Sequence, residues 1–149
     1  MTVNAVTPKS TLRAEHRPMV REDGFYSFCE SPDCNVVYYH SIPSQASGLP
    51  GAVFTIDRLI NKVTVKDDSL DTPLCYCFKV LKGEALDEIS RTGGVEIKAL
   101  MNRRRKPGQG CFCEKSNPRG DCCTGDIRGW LTAQGLEVGS DEDTCGCGC

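Results

Sequence analysis

The sequence predicts an α+β fold in which a small β-sheet part precedes a short helical part. Residues 25–29 and 35–39 are rich in aromatic and β-branched side chains and flank a Glu-Ser-Pro-Asp turn, a pattern typical of a β-hairpin. Further along, residues 83–91 and 96–104 carry apolar side chains at helical spacing. Closely spaced cysteines accompany both parts, so we expect bound metal to supplement a thin apolar core.

We predict four regions along the chain. Residues 1–20 are polar and without periodicity, which predicts a disordered leader. Residues 21–70 then form the small, zinc-ribbon-like β part and residues 71–135 the helical part, followed by an acidic, cysteine-rich tail over 136–149, so that both termini are flexible. The other predicted elements are two short strands, 52–56 and 62–66, and a last helix, 127–133.

Composition and charge narrow the classes of function. The chain has 149 residues, eleven cysteines and a formal net charge of −2, which argues against a nucleic-acid partner. No apolar run approaches membrane-spanning length and residues 1–20 lack an apolar signal core, so we expect a cytoplasmic protein without membrane insertion. With two isolated histidines, no phosphate loop and no serine–histidine–acid set, we do not expect an enzyme.

Six cysteines between residues 75 and 123 carry the strongest chemical signal. In a reducing compartment such thiols bind metal rather than form disulfides. Four thiolates are what a 2Fe–2S or 4Fe–4S cluster, or a structural zinc, requires, and the predicted helical hairpin can bring two groups of thiols together. A zinc site and a set of buried, unligated thiols are the alternatives. We assign the cluster ligands to Cys75, Cys77, Cys113 and Cys123, with Cys111 and Cys122 as alternates.

Two smaller cysteine groups suggest further metal sites. Cys29 and Cys34 flank the hairpin turn, as paired ligands do in a zinc knuckle, but two thiols are only half of a zinc site. Cys145, Cys147 and Cys149 alternate with glycine and can wrap a soft ion such as Cu(I), Zn(II) or Hg(II), of which Cu(I) suits low-coordinate thiolates best. The alternative for this tail is that its thiols bind nothing.

The sequence has one basic run, Arg103-Arg104-Arg105-Lys106. We interpret it as a solvated helix end, where cations suit the helix dipole. A docking patch for an acidic redox partner is the second interpretation.

An ordered series of motifs resembles a known module. The series comprises residues 25–29 and 34–39 of the hairpin, residues 63–66, the Leu-Cys-Tyr-Cys-Phe motif at 74–78 and the Asn-Pro-Arg-Gly-Asp-Cys-Cys motif at 117–123. Over residues 24–134 the chain is similar to the zinc- and 2Fe–2S-containing N-terminal domain of CopZ-type copper chaperones. Its cluster half also resembles bacterioferritin-associated ferredoxin.

The resemblance implies a 2Fe–2S cluster on the helical half and zinc on the β half of a protein that serves copper delivery and reduction of Cu(II) to Cu(I). The sequence departs from the family in two ways. The family has a further pair of zinc-ligand cysteines near its N-terminus, whereas this sequence has none before Cys29, so that His16, His40 or the tail thiols would have to contribute, or the site is lost. The family also has a separate copper-binding domain, for which this chain offers only the cysteine-rich tail.

The leading hypothesis is therefore a cytoplasmic, copper chaperone-like metal-handling protein with a 2Fe–2S cluster, which binds a soft metal and reduces it. Its partner would be a copper-transporting or redox protein. The first alternative is a ferredoxin-like 2Fe–2S electron carrier for a reductase or oxidase. The second is a metal-stapled adaptor without redox function, in which zinc alone fills the central site.

Overall fold

The computed structural model describes residues 1–22, 24–40 and 52–138, and it confirms the predicted α+β class. The β part is an antiparallel sheet of four strands in the order β1-β2-β3-β4. A helix and two 3₁₀ helices complete it. The elements are β1 (Thr2–Val3), α1 (Val6–Thr11), a 3₁₀ helix (Ala14–Met19), β2 (Tyr26–Phe28), β3 (Val36–His40), β4 (Val53–Thr55) and a second 3₁₀ helix (Ile56–Arg58).

The helical part follows a two-stranded antiparallel ribbon. Both predicted helices of the hairpin are present, and the last helix is longer than predicted at its N-terminal end. The elements are β5 (Pro73–Cys75), β6 (Val80–Leu81), α2 (Lys82–Thr92), α3 (Ile97–Arg104), α4 (Cys113–Ser116) and α5 (Thr124–Ala133).

Each part has its own hydrophobic cluster. In the β part, Tyr26, Tyr38 and Phe54 are completely buried between the sheet and the N-terminal helices. In the helical part, apolar side chains from β5, α2, α3 and α5 pack around the central cysteines. Along the chain, the first cluster extends to Val65 and the second begins at Leu74, which supports a boundary near residue 70. The division into four regions remains a proposal.

The predicted disordered leader is wrong. Thr2 and Val3 pair with Ser27 and Tyr26 of β2, and Leu12 is completely buried and bridges to Leu59. A two-residue strand and a six-residue helix are too short to produce a readable periodicity, so their order depends on tertiary contacts that the sequence does not display.

The predicted strand over residues 62–66 is also wrong, because this segment forms turns around a tyrosine. The Tyr76 hydroxyl accepts a hydrogen bond from the Thr64 N–H and donates to the Lys62 carbonyl, both at 3.0 Å. The segment therefore caps the side chain that lies between Cys75 and Cys77, and it links the β part to the metal-binding loop.

The acidic segment between the two parts is held by a buried lysine. Lys82, whose side chain is 2% exposed, donates from Nζ to the Thr64 carbonyl at 2.9 Å and to the Asp67 carbonyl at 2.7 Å. Its third partner, the Asp68 carboxylate at 2.7 Å, is 97% exposed. Asp67 itself accepts hydrogen bonds from Ser69 and Thr72, and these lower its pKa to about 2.

Several polar contacts join the β part to the region of the cysteines. The Tyr38 hydroxyl donates to the Pro118 carbonyl at 2.8 Å, and the Thr7 hydroxyl donates to the Glu114 carbonyl at 2.8 Å. Arg119 forms ion pairs with Glu30 of the hairpin turn and with an acidic residue of α5. The β part therefore supports the loops that carry the later cysteines.

Among the described helices, none combines the length and apolar character needed to cross a bilayer.

Replacing Lys82 with methionine should lower the free energy of unfolding by about 3 kcal/mol, because two buried carbonyls lose their charged donor. Urea unfolding followed by circular dichroism measures this change. Asp68→Asn is the matched control and should cost less than about 1 kcal/mol, because its carboxylate is solvated. Equal losses in the two variants would mean that the ion pair, rather than the carbonyl contacts, holds the segment.

Candidate metal centre

Three chain segments meet at the central cysteines. Cys75 ends β5, and the backbone reverses through Cys77 to β6 with Lys79 in the left-handed region at φ 54°. The α2–α3 hairpin then returns the chain, so that Cys113 begins α4 and Cys123 immediately precedes α5. The fold thus gathers thiols that lie up to 48 positions apart in the sequence.

The four predicted cluster ligands converge on one buried site. The Sγ atoms of Cys77 and Cys113 are 3.5 Å apart. Cys123 is hydrogen-bonded to both Cys113 and Cys75, which completes the group. Two thiolates on one tetrahedral metal at ~2.3 Å are separated by about 3.8 Å, so the observed spacing suits a shared metal. The least buried of the four is 7% exposed.

The two alternate cysteines lie at the edge of this group. Cys111 is half-buried, and its Sγ lies within 4.8 Å of those of Cys77 and Cys113. Cys122 is also half-buried, and its Sγ lies 3.1 Å from the Thr124 hydroxyl. Burial therefore favours Cys123 over Cys122, whereas Cys111 could substitute for a neighbour. The choice of ligands remains a prediction.

Hydrogen-bond donors surround the sulfur atoms. The Phe112 N–H donates to Cys77 Sγ at 3.2 Å, and the Ser116 hydroxyl lies at the same distance from that sulfur. Backbone groups at Phe78 and Cys77 bond to the Cys75 thiol. Strand β6 lies between this pair of cysteines and α2. Ser116 was not predicted, although its position three residues after Cys113 on a helix could have indicated it.

The pKa shifts show that the thiols compete for protons. Hydrogen bonds to Cys113 and Cys75, together with burial, raise the pKa of Cys123. A hydrogen bond to Cys113 and burial raise the pKa of Cys77 in the same way. In contrast, the hydrogen bond with Cys123 lowers the pKa of Cys75 despite its burial. The site thus favours a thiolate at Cys75 while Cys77 and Cys123 stay protonated. Ionisation of all four thiols requires a positive centre between them.

The donor set fits a metal centre bound by four thiolates. The sulfurs are buried, linked in a series of contacts from Cys75 through Cys123 and Cys113 to Cys77, and supplied with N–H and O–H donors. These are the features that stabilise thiolate ligands. The same donors suit an iron–sulfur cluster and a structural zinc, so the geometry defines the class of site rather than the metal.

Cys29 and Cys34 form a second thiol pair at the hairpin turn. They are hydrogen-bonded to each other, and Lys66 Nζ donates to the Ser31 carbonyl and, at 2.9 Å, to the Cys34 carbonyl. Slight burial raises the pKa of Cys29, but the Ser31 backbone, the Cys34 thiol and the Lys66 ammonium together lower it below its usual value.

Neither histidine completes this pair. His40 pairs with Tyr26 at the opposite end of the β2–β3 ladder from the turn, and its ring packs edge-on against that tyrosine. His16 lies on a 3₁₀ helix with its ring nitrogen 3.9 Å from Glu15. Within the described ranges, no third cysteine, histidine or carboxylate joins Cys29 and Cys34 in a compact group.

The tail cysteines Cys145, Cys147 and Cys149 lie outside the described residues. Their predicted role as copper ligands therefore remains a prediction.

Comparisons with known proteins match the features above. A CopZ family described as a zinc-binding domain matches residues 1–45. The curated "Copper chaperone CopZ" of Archaeoglobus fulgidus is 30% identical over 123 residues. The crystal structure of the N-terminal domain of CopZ from the same organism superposes with a TM-score of 0.62 at 24% identity, covering 92% of each chain. The resemblance to the CopZ type is confirmed.

The extent of the match limits what it shows. The alignment with CopZ covers 80% of this chain but 50% of the relative, so the chain spans about half the length of the curated protein it matches. At 24% identity, the likeness to the CopZ N-terminal domain establishes the fold alone. It nevertheless confirms the α+β architecture that the motifs predicted.

Alkylation should separate the buried thiols from those at the edge. With iodoacetamide on the native protein as purified, Cys111 and Cys122 should react at least about tenfold faster than Cys75 and Cys123, which are 1% exposed. Peptide mass spectrometry of timed samples measures each rate, and urea-unfolded protein, in which all sites should react alike, is the control. Modification of Cys123 at the rate of Cys122 would contradict the observed burial.

Proposed function

We propose that this protein handles metal through a 2Fe–2S cluster bound by Cys75, Cys77, Cys113 and Cys123, and that it serves copper as a chaperone-like protein. The observation that supports the proposal most strongly is the convergence of four buried thiols from three chain segments. Four thiolates form the ligand set of a 2Fe–2S cluster. The likeness to CopZ supports the assignment to copper.

A cluster at this site would supply one-electron redox chemistry. The chain's own residues would tune that chemistry. The Phe112 N–H and the Ser116 hydroxyl stabilise negative charge on Cys77, while the apolar side chains Leu74, Ile97 and Trp130 exclude water from the site. Ionisation of all four thiols and binding of the metal centre are therefore coupled to folding of the helical part.

Copper would be the cargo of the cysteine-rich tail. Soft thiolate ligands select Cu(I), and Cys145, Cys147 and Cys149 supply three of them. The first residues of the tail are attached to the cluster part, because Leu136 and Val138 pack against its core. Cys145 follows Val138 by seven positions, so its reach is at most about 25 Å. Copper on the tail can thus approach the buried thiols, as reduction of Cu(II) to Cu(I) would require.

Zinc is the proposed metal of the β part. The match of residues 1–45 to a zinc-binding domain supports a site that includes Cys29 and Cys34. A tetrahedral zinc ion needs four donors. Two would therefore have to come from outside the described residues, because His16 and His40 do not approach the pair.

A ferredoxin-like electron carrier is the second candidate function. It is favoured by the buried four-thiol site, which would suffice for electron transfer without a copper ligand. In that case the partner would be a reductase or oxidase rather than a copper-transporting protein. A potentiometric titration with and without bound Cu(I) separates the two, since a plain carrier should show the same potential in both.

Anaerobically purified protein should contain about two iron and two sulfide ions per chain and absorb in the visible range. Cys123→Ala should lose most of this iron, whereas Cys122→Ala should retain it, because the Cys123 thiol belongs to the buried group. Iron, sulfide and zinc analysis measures the outcome. One zinc ion per chain in place of iron would indicate the metal-stapled adaptor without redox function. If Cys123→Ala retained its iron, the ligand set proposed here would be excluded.

Replacing Cys145, Cys147 and Cys149 together with serine should reduce Cu(I) bound per chain by about one equivalent, since soft thiolates are removed without shortening the chain. Titration in competition with a Cu(I) chelator measures the change, and iron content serves as the internal control. Unchanged Cu(I) binding would show that the tail has no role, even where the cluster is present.

A further inference from the structure

The basic run is attached to the loop that carries Cys77. Arg104 donates from its guanidinium to the Lys79 carbonyl and forms an ion pair with Glu84. The guanidinium of Arg105 lies 4.7 Å from the centre of the Phe78 ring, a cation–π contact. The interpretation of this run as a solvated helix end is therefore incomplete, because two of its four cations hold the loop next to Cys77.

The remaining cations form a charged surface beside the thiols. Lys79 and Lys106 are exposed, and neither takes part in an ion pair among the described residues. Together with Arg104 and Arg105 they make up a set of four cations, which we call the basic face, whereas Arg103 lines a separate cleft with Glu88 and Glu96. The whole chain carries a net charge of −2, so this face is a local reversal of the overall sign.

Apolar groups adjoin the basic face. Phe112 is 46% exposed, while its backbone N–H bonds directly to Cys77 Sγ. A cavity of about 780 Å³ is lined by Lys79 and Arg104 of the face, by Leu81 and the 51% exposed Ile60, and also by Asp57, Asp67 and Asp71. Two of these acids, Asp67 and Asp71, are ion-paired with Lys62. Exposed cations next to exposed apolar side chains are typical of a protein–protein interface. The charges steer the partner toward the surface, and the apolar contacts stabilise the complex.

We propose that the basic face is a docking surface for a partner protein that presents carboxylates around an apolar group. Why a partner would bind beside these thiols rests on the proposed function. The existence of the charged surface does not depend on that function. Nucleic acid is disfavoured because the acidic remainder of the chain repels a polyanion. A surface whose cations steer the partner suits a transient complex, which typically buries fewer than about 1,200 Å².

Fluorescence anisotropy with a labelled acidic peptide, carrying glutamates on both sides of a Leu-Phe pair, tests this surface on the full chain as purified. Lys106→Glu should weaken binding roughly three- to tenfold, and the dissociation constant should rise with salt. Arg91→Glu is the control with the same charge change. Arg91 lies seven residues beyond Glu84 on α2, about 10 Å along the axis, and it loses only an exposed ion pair with Asp87. It should alter binding less than about twofold.

Three results would overturn the proposal. Equal weakening by Lys106→Glu and Arg91→Glu would mean a response to net charge alone. Tighter peptide binding by the full chain with Asp141→Asn, Glu142→Gln and Asp143→Asn would mean that the chain's own acidic end occupies the face. The third result is that the protein does not bind the peptide but sediments with phosphatidylserine vesicles, and that Lys106→Glu abolishes this sedimentation. The face would then bind lipid.

The peptide measurement does not depend on which metal the thiols bind, whereas iron and sulfide analysis does. Failure of the docking surface and failure of the proposed function are thus separately visible.

Discussion

Four sulfur atoms in one buried site cannot all carry negative charge unless a positive centre lies between them. Cys75, Cys77, Cys113 and Cys123 are each at most 7% exposed, and hydrogen bonds to neighbouring thiols together with burial raise the pKa of Cys77 and of Cys123. In such a site, the free energy of metal binding is also free energy of folding. The helical part is built from short helices around these thiols, so its stability and its chemistry have a common origin.

This constraint explains why the β part is needed. The thiols come from three loops, and short loops do not hold their geometry without support. Tyr76 extends from the Cys75–Cys77 loop to the Lys62 carbonyl, while Tyr38 of β3 extends to the Pro118 carbonyl before Cys122 and Cys123. Each hydroxyl is buried and hydrogen-bonded, which fixes the side chain in one position. The sheet thus positions loops on both sides of the thiol group.

The sequence predicted the features whose signals are local. The hairpin around residues 30–33 and helices α2 and α3 follow from patterns within a few turns of chain, and the structure contains them. The convergence of distant thiols was predicted from the helical hairpin that returns the chain, and Cys77 and Cys113 do meet. The predictions of a disordered leader over residues 1–20 and of a strand over residues 62–66 were wrong. Contacts with residues elsewhere in the chain determine the conformation of both segments. Thr64, for example, has the β-branched side chain of a strand residue, but its N–H and hydroxyl bond to Tyr76.

Other aspects of the site had no signal in the sequence at all. Lys82 is the first residue of a helix, where a lysine side chain is ordinarily solvated. Only the fold shows that this side chain is buried and donates to three oxygen atoms. Likewise, six thiols for four ligand positions cannot be ranked by spacing. Their burial ranks them, since Cys111 and Cys122 are half-buried and the other four are buried.

The backbone at Lys79 connects the thiol loop to the basic face. A non-glycine residue in the left-handed region costs about 1 kcal/mol or more, and such positions persist only where their surroundings hold them. Here the Lys79 carbonyl accepts the Arg104 guanidinium, and Arg105 covers Phe78. The strained turn brings Cys75 and Cys77 to the same site and leaves the Lys79 side chain in solvent. Arg104 and Arg105 therefore hold the loop in this conformation. They also add positive charge to the surface beside the loop that carries Cys77.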